Sequence, residues 1–327
     1  MMAYTNFIMK KIAILTSGGD APGMNAAVRA ATRTALCNKI EVFGIERGYR
    51  GLLENRFKKL KSADVSDTIQ RGGTILQSAR CPEFQTDEGT AKAVATLNEK
   101  GIGGLVVIGG DGSFYGAERL TKNGIPCVGI PGTIDNDLAY TDFTLGFDTA
   151  CNTVLWAINN LRDTMSSHSR IAIIKVMGRD CGDIALYSGI GGGVEIILVP
   201  EVKLNVQRLC KTLENGYKKG KKSMMIVMAE GVGSSHELAQ DIRSITGHDV
   251  KITVLGHIQR GGSPSMMDRY LGTSFGVAAV RCLMNAKGGR VVGVKNNEIF
   301  DMDIFEALKI KKVFNKGLYE MAGIVSK

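Results

Sequence analysis

The chain has 327 residues, 44% hydrophobic and 22% charged, enough for roughly two globular domains that bury their cores without disulfides or structural metals. No stretch approaches the ~18 uninterrupted apolar residues of a membrane helix. The opening MMAYTNFIMKK has neither a long apolar core nor a small-residue cleavage site, so neither a spanning nor a secreted protein is expected. A net charge of +9 attracts anions without choosing among nucleic acid, membrane surface and small phosphates, while 6% aromatics leave few platforms for stacked bases.

In chain order, short runs rich in Val and Ile alternate with helix-like stretches. The runs are KIAIL (11–15), EVFGI (41–45), LVVIG (105–109), PCVGI (126–130), IAIIKV (171–176), EIILV (195–199), MMIVMA (224–229) and ITVLG (252–256). Runs apolar at nearly every position predict strands covered on both faces, as in parallel sheets. MNAAVRAATRTALCN and AKAVATLNEK carry helix formers at 3.6-residue spacing. The alternation predicts an α/β fold with right-handed crossovers, and a long helix from about Phe147 predicts a domain boundary near that residue. Glycine is abundant (41) and proline scarce (6), a balance that points to tight turns and close backbone approaches, not disorder.

Cys37, Cys81, Cys127, Cys151, Cys181, Cys210 and Cys282 contain no Cys-x-x-Cys pair and read as reduced, packed thiols of a cytoplasmic protein. The four histidines have no zinc spacing. Lys218-Lys219-Gly220-Lys221-Lys222 reads as a solvated loop.

Six polar, glycine-rich motifs fall just past the carboxyl ends of predicted strands: TSGGDAPGMN, GGDGSFYG, PGTIDND, MGRDCGD, AEGVGSS and GHIQRGG. In open parallel sheets that edge binds ligands, and six such motifs predict one composite site. Standard P-loop and dinucleotide fingerprints are absent. In the first motif, Pro22 suits a first helical turn, and the glycines before it let backbone N–H groups approach an anion; taken alone, the motif reads as a tight strand-to-helix turn.

Gly109-Gly110-Asp111-Gly112-Ser113 offers bare backbone to a polyphosphate and one carboxylate to Mg²⁺; a turn with Asp capping the next helix is the plain alternative. Thr133-Ile134-Asp135-Asn136-Asp137 holds two carboxylates two residues apart. If extended, they share a face, where like charges oppose simultaneous ionisation and one can accept a proton from an attacking hydroxyl. An Asx-rich turn is the alternative. Arg170, Arg179, Lys251, His257 and Arg260 supply cations and donors suited to phosphate, and Glu230 can accept from a sugar hydroxyl or pair with a buried cation. The residues alone thus point to a Mg²⁺-dependent phosphoryl transferase acting on an anionic, hydroxyl-bearing acceptor.

TSGGDAPGMNAAVR, RGGTILQSARCPEF, VVIGGDGS, GIPGTIDND, VMGRDCGDIAL and TVLGHIQRGGSP, in this order from about Lys11 to about Asn296, resemble the bacterial 6-phosphofructokinase family. The resemblance implies two doubly wound, Rossmann-like parallel-sheet α/β domains with the active site in the cleft between them. The larger, ATP-binding one would be 1–146 plus 259–309, and the smaller, fructose 6-phosphate-binding one 147–258 plus 310–327. It implies phosphorylation of fructose 6-phosphate at the 1-hydroxyl, the committed step of glycolysis. ATP would be held by Gly19, Arg80, Cys81, Gly110, Asp111, Gly112, Ser113 and Gly116, with Mg²⁺ on Asp111. Asp135 would be the base, supported by Thr133 and Asp137, with Arg80 and Arg179 stabilising the transferring phosphoryl group. The sugar phosphate would meet Thr133, Ile134, Asp135, Met177, Gly178, Arg179, Glu230, His257, Ile258, Gln259 and Arg260. Arg170 and Lys251 would reach it from a neighbouring subunit of a homotetramer. An effector, ADP or phosphoenolpyruvate in relatives, would meet Arg29, Arg33, Arg162, Gly193, Glu195, Lys219 and Lys221.

Pyrophosphate-dependent relatives usually carry Asp where this chain has Gly112 and Lys where it has Gly132, so the resemblance implies ATP as donor. Three departures stand out. Lys251 replaces the usual Arg, losing bidentate phosphate contact. Ser62 stands where some members have an effector-site Arg. About eight residues precede the family's usual start, and no role is assigned to them. NAD kinases and lipid kinases share the Gly-Gly-Asp-Gly turn but lack MGR and HIQRGG, and a nucleic-acid-binding role would leave the carboxylates of TIDND unexplained; no nucleic-acid or membrane partner is expected.

Overall fold

The computed structural model describes residues 9–326; the eight residues before the family's usual start lie outside the described residues. The chain divides into two compact units. Unit 1 comprises the chain up to Thr133 with Leu138–Gly146 and Arg260–Lys312; unit 2 comprises Ile134–Asp137, Phe147–Gln259 and the chain from Val313.

Unit 1 is built on a seven-stranded sheet in the order β11-β10-β5-β4-β1-β2-β3. Its strands are β1 (Lys11–Thr16), β2 (Glu41–Ile45), β3 (Phe57–Leu60), β4 (Gly104–Gly109), β5 (Cys127–Pro131), β10 (Arg290–Lys295) and β11 (Glu298–Asp303). The five inner strands are mutually parallel, as the unbroken apolar runs of β1, β2, β4 and β5 predict. β3 and β11 lie antiparallel on the two edges. These two, with β10, are additions to the predicted strands. FKKL and EIFDMD are too polar to read as strands covered on both faces, and an edge strand does not need to be. Unit 2 carries a four-stranded, wholly parallel sheet in the order β7-β8-β6-β9, from β6 (Ile171–Val176), β7 (Ile196–Leu198), β8 (Met224–Ala229) and β9 (Val250–Val254).

Each sheet has its own apolar core. In unit 1, Leu15, Leu105, Val107, Phe114 and Leu120 are fully enclosed; in unit 2, Ile171, Ile173, Ile226 and Leu213 are. Cys127 lies in the first of these, and burial pushes its thiol up to about 12, consistent with a packing role. All seven cysteines are free thiols, and no described helix is long and apolar enough to cross a membrane.

The loop after β1 is fixed by the helix that follows it. Helix Met24–Cys37 packs on helix Met266–Met284 through small residues on both sides. A Cβ on Gly272 would stand 2.7 Å from the Gly23 carbonyl oxygen, and one on Gly276 2.6 Å from that of Ala27. Backbone cannot yield as a side-chain tip can, so Gly276→Ala is expected to push the helices apart and cost about 1–3 kcal/mol of stability. Thermal unfolding checks this; an unchanged melting temperature would show that the two helices have room to separate.

Candidate functional site

Three strand-end loops converge in unit 1. After β1, Ser17 N–H donates to the Ile108 carbonyl (2.9 Å), and Gly18 turns with φ of 84°. After β4, Gly110 caps helix Asp111–Lys122. Asp111 and Gly112 are exposed and Ser113 is buried. After β5, Gly132 N–H donates to the Gly109 carbonyl (2.9 Å). A Cβ on Gly110 would meet Thr133 at 3.6 Å, and one on Gly132 would press on Met24, Ile108 and Gly109. Around Gly112 nothing lies within 4 Å. The result is an exposed helix N-terminus, which favours anions, beside backbone bared by glycine.

The chemistry of this turn suits Mg²⁺. Among the described residues no group of three or more His, Cys, Asp or Glu forms a protein-only cage. Mg²⁺ does not need one, because it retains waters and takes one or two carboxylates plus substrate phosphates. An exposed Asp111 beside the unobstructed Gly112 fits that donor set.

The structure refines several other expected nucleotide contacts. Arg80 is exposed, whereas Cys81 is partly buried against the unit 1 core. Gly116 faces inward: a Cβ there would lie 2.6 Å from the Tyr49 ring, whose hydroxyl donates to the Ser113 carbonyl (2.6 Å). Burial raises the Tyr49 pKa well above the usual phenol range, which keeps that donor protonated. Asn25, which the motif contains but no spacing rule singles out, is buried; it donates to Arg71 and Gly72 carbonyls and accepts from Ile75 N–H (2.8 Å). It thereby fixes the stretch leading to Arg80.

A second group assembles in unit 2. Ile134–Asp137 is not the extended stretch that a shared face for Asp135 and Asp137 requires. Ile134 and Asp135 form a turn, and Asn136 takes a left-handed φ of 52°, which a short polar side chain tolerates better than most. Asp135 is 1% exposed, and its carboxylate lies 3.3 Å from the Arg179 Nε. Asp137 Oδ1 is buried without a hydrogen-bond partner among the described residues.

Arg179 itself has φ of 51° and follows Gly178 at φ of 128°. Its backbone N–H donates to Glu230 Oε1 (2.9 Å), while its guanidinium is mostly exposed. Met177 N–H donates to Gln259 Oε1 (3.2 Å), and Gln259 Nε2 donates to the Gly256 carbonyl (2.9 Å). Gln259 is fully buried, so its amide serves the backbone. His257 and Ile258 are exposed. The buried carboxylate, exposed guanidinium and Glu230 form a cluster suited to binding an anion and accepting a proton.

Other expected residues lie elsewhere. Arg260 belongs to unit 1, where its guanidinium covers Gly19 and donates to the Asp20 carbonyl (3.4 Å). Arg170 and Lys251 stand at the amino ends of β6 and β9, both paired with Asp249 (2.9 and 3.0 Å); these ion pairs hold the Asp249 carboxyl below the usual range, Lys251 foremost. A six-residue strand spans roughly 20 Å, so these two are far from Met177 and Arg179. Of the expected effector residues, Arg29 and Arg33 lie in unit 1, and Arg33 reaches Ser66 Oγ at 3.5 Å. In unit 2, Arg162 donates to the Gly193 carbonyl (3.1 Å). Lys221 bridges Glu195 and the Ser326 carbonyl (both 3.2 Å). Glu195, Lys219 and Lys221 line a cavity of about 540 Å³.

Residues 11–283 match the phosphofructokinase family model. The chain is 56% identical to the ATP-dependent 6-phosphofructokinase of Clostridium botulinum (strain Loch Maree), over 98% of this chain and all of that one. It is also 56% identical to the enzyme of that name from Clostridioides difficile, over 97% of this chain and all of that one. Among solved structures, phosphofructokinase from Saccharomyces cerevisiae superposes with a TM-score of 0.87 at 34% identity, over 97% of this chain and 48% of the yeast chain; the present chain thus spans about half of the yeast one.

Proposed function

The chain belongs to the phosphofructokinase family, and from that premise we propose that it transfers the γ-phosphoryl group of ATP to the 1-hydroxyl of fructose 6-phosphate, giving fructose 1,6-bisphosphate and ADP. The observation that carries this reading is Asp135, a buried carboxylate 3.3 Å from a mostly exposed arginine, in a chain matching an ATP-dependent 6-phosphofructokinase over 98% of its length.

Unit 1 holds the nucleotide through Gly19, Arg80, Cys81, Gly110, Gly112 and Ser113, with Gly116 acting from behind by admitting the Tyr49 ring. Asp111 would hold Mg²⁺, which when bound neutralises charge on the β- and γ-phosphates. Asp135 accepts the proton of the 1-hydroxyl as its oxygen bonds to the γ-phosphorus and the bond to the β-phosphate oxygen breaks. Thr133 and Asp137 support it, while Arg179 and Arg80 stabilise charge on the transferring group. Met177, Gly178, Arg179, Glu230, His257 and Ile258 bind the sugar phosphate. Ile134 is buried in the turn beside Asp135, Gln259 holds backbone, and Arg260 braces the Gly19 loop.

The distance of Arg170 and Lys251 from this group supports a homotetramer in which they serve another copy's sugar phosphate. In unit 2, Arg162, Gly193, Glu195, Lys219 and Lys221 would contact a nucleotide or phosphoenolpyruvate effector; in unit 1, Arg29 and Arg33 would do the same. Seven free thiols suit a cytoplasmic setting.

Incubation with fructose 6-phosphate, ATP and Mg²⁺ should yield fructose 1,6-bisphosphate; no product from folded protein would refute the proposal. Lys251→Arg, which restores a bidentate phosphate donor, should lower the half-saturating fructose 6-phosphate concentration. An unchanged or higher value would remove Lys251 from the sugar-phosphate site.

A further inference from the structure

The loop after β6 wraps the Ile134–Asp137 segment with three alternate side chains, those of Arg179, Cys181 and Asp183. Arg179 reaches the Asp135 carboxylate at 3.3 Å, Cys181 Sγ lies 4.0 Å from the Asn136 carbonyl, and Asp183 Oδ2 accepts from Asn136 Nδ2 at 2.9 Å. Asn136 and Asp183 are both buried, at 1% and 7% exposure. Asp183 opens helix Asp183–Gly191, where a carboxylate is favoured by the helix dipole. The next helical turn fixes the backbone that presents it. Asn136 joins the two carboxylates of the segment and sits in the left-handed region, so its amide is the handle by which the direction of both neighbours is set.

We infer that Asp183 is a positioning residue for the phosphoryl transfer: by holding the Asn136 amide it fixes Asp135 in line with the attacking hydroxyl. This rests on the proposed role of Asp135 as base. A displacement of about 1 Å at a reacting group costs on the order of 100-fold in rate, whereas contacts that bind the sugar phosphate elsewhere are untouched.

The test is a kinetic comparison of Asp183→Ala, Asp183→Asn, Asn136→Gly and the Asp183→Ala/Asn136→Gly double variant, with melting temperature and elution volume as fold controls. Asp183→Ala should lower kcat by about 10- to 100-fold and leave half-saturation by fructose 6-phosphate and ATP within about threefold. Asp183→Asn keeps a carbonyl acceptor and should recover most of the lost rate. Asn136→Gly, free to keep its positive φ, should match Asp183→Ala, and the double variant should be no slower than either alone.

Losses that multiply in the double variant, a loss confined to half-saturation, or an Asp183→Asn variant no better than Asp183→Ala would overturn the inference. Should Asp183→Ala fail to fold, Asp183→Asn and Asn136→Gly decide it by the same criteria. An inactive Asp135→Ser beside unimpaired Asp183 variants would sink this inference alone. An active Asp135→Ser would remove Asp135 from the role of base and sink this inference with it.

Discussion

Replacing Asp135 with serine is expected to lower kcat by about 100- to 10,000-fold while half-saturation by fructose 6-phosphate changes little. The side chain is 1% exposed and beside the Arg179 guanidinium. It therefore contributes little surface to a bound sugar and much to the fate of a proton. Serine fits the space and cannot take up that proton as a carboxylate does. Arg179 remains available to bind phosphate, anchored by its backbone donation to Glu230, which separates the effect on turnover from the effect on binding. Steady-state kinetics at saturating ATP and Mg²⁺ check this. Near-normal turnover would mean that the proton leaves by another route.

The second large effect concerns the donor. Gly112→Asp should raise the half-saturating ATP concentration about tenfold or more, since ~1.4 kcal/mol of repulsion already gives that factor and a like charge at ~4 Å near a protein surface exceeds it. Nothing lies within 4 Å of a Cβ at this position, so the folded protein accommodates the side chain and the penalty falls on the anionic ligand. Gly112→Ala is the control. It should bind ATP normally and be slightly more stable, because alanine is the better helix former by about 0.5–1 kcal/mol. A comparable loss of ATP affinity in both variants would attribute the effect to bulk instead of charge.

Much of this was legible from residue patterns. The unbroken apolar runs marked β1, β2, β4 and β5 of the larger sheet and all four strands of the smaller one, and the six motifs after them do follow strand ends. β3 and β11 were hidden because an edge strand mixes charge with apolar residues. β10 was hidden because RVVGVK offers only a short run broken by glycine.

At the site, spacing placed Asp135 and Asp137 together. It could not show that Asn136 would turn left-handed, because the partner that holds it, Asp183, is 47 residues away. Asn25 and Asp249 escaped for the same reason: their significance lies in what they hold, Asn25 the loop at Arg71–Ile75 and Asp249 the pair Arg170 and Lys251. The resemblance put Arg260 among the sugar-binding residues; the chain enters unit 1 directly after Gln259, and there the arginine lies against Gly19. Gly132 was read for its absent charge; the structure adds that Met24 and Ile108 enclose it.

The central claim is tested most directly by a coupled assay for fructose 1,6-bisphosphate, run in parallel with ATP and with pyrophosphate, on protein whose oligomeric state has been fixed by light scattering. Mg²⁺-dependent product with ATP and none with pyrophosphate is the predicted result. Product with pyrophosphate alone would contradict the assignment of the donor, and silence with both from intact, folded protein would contradict the account as a whole.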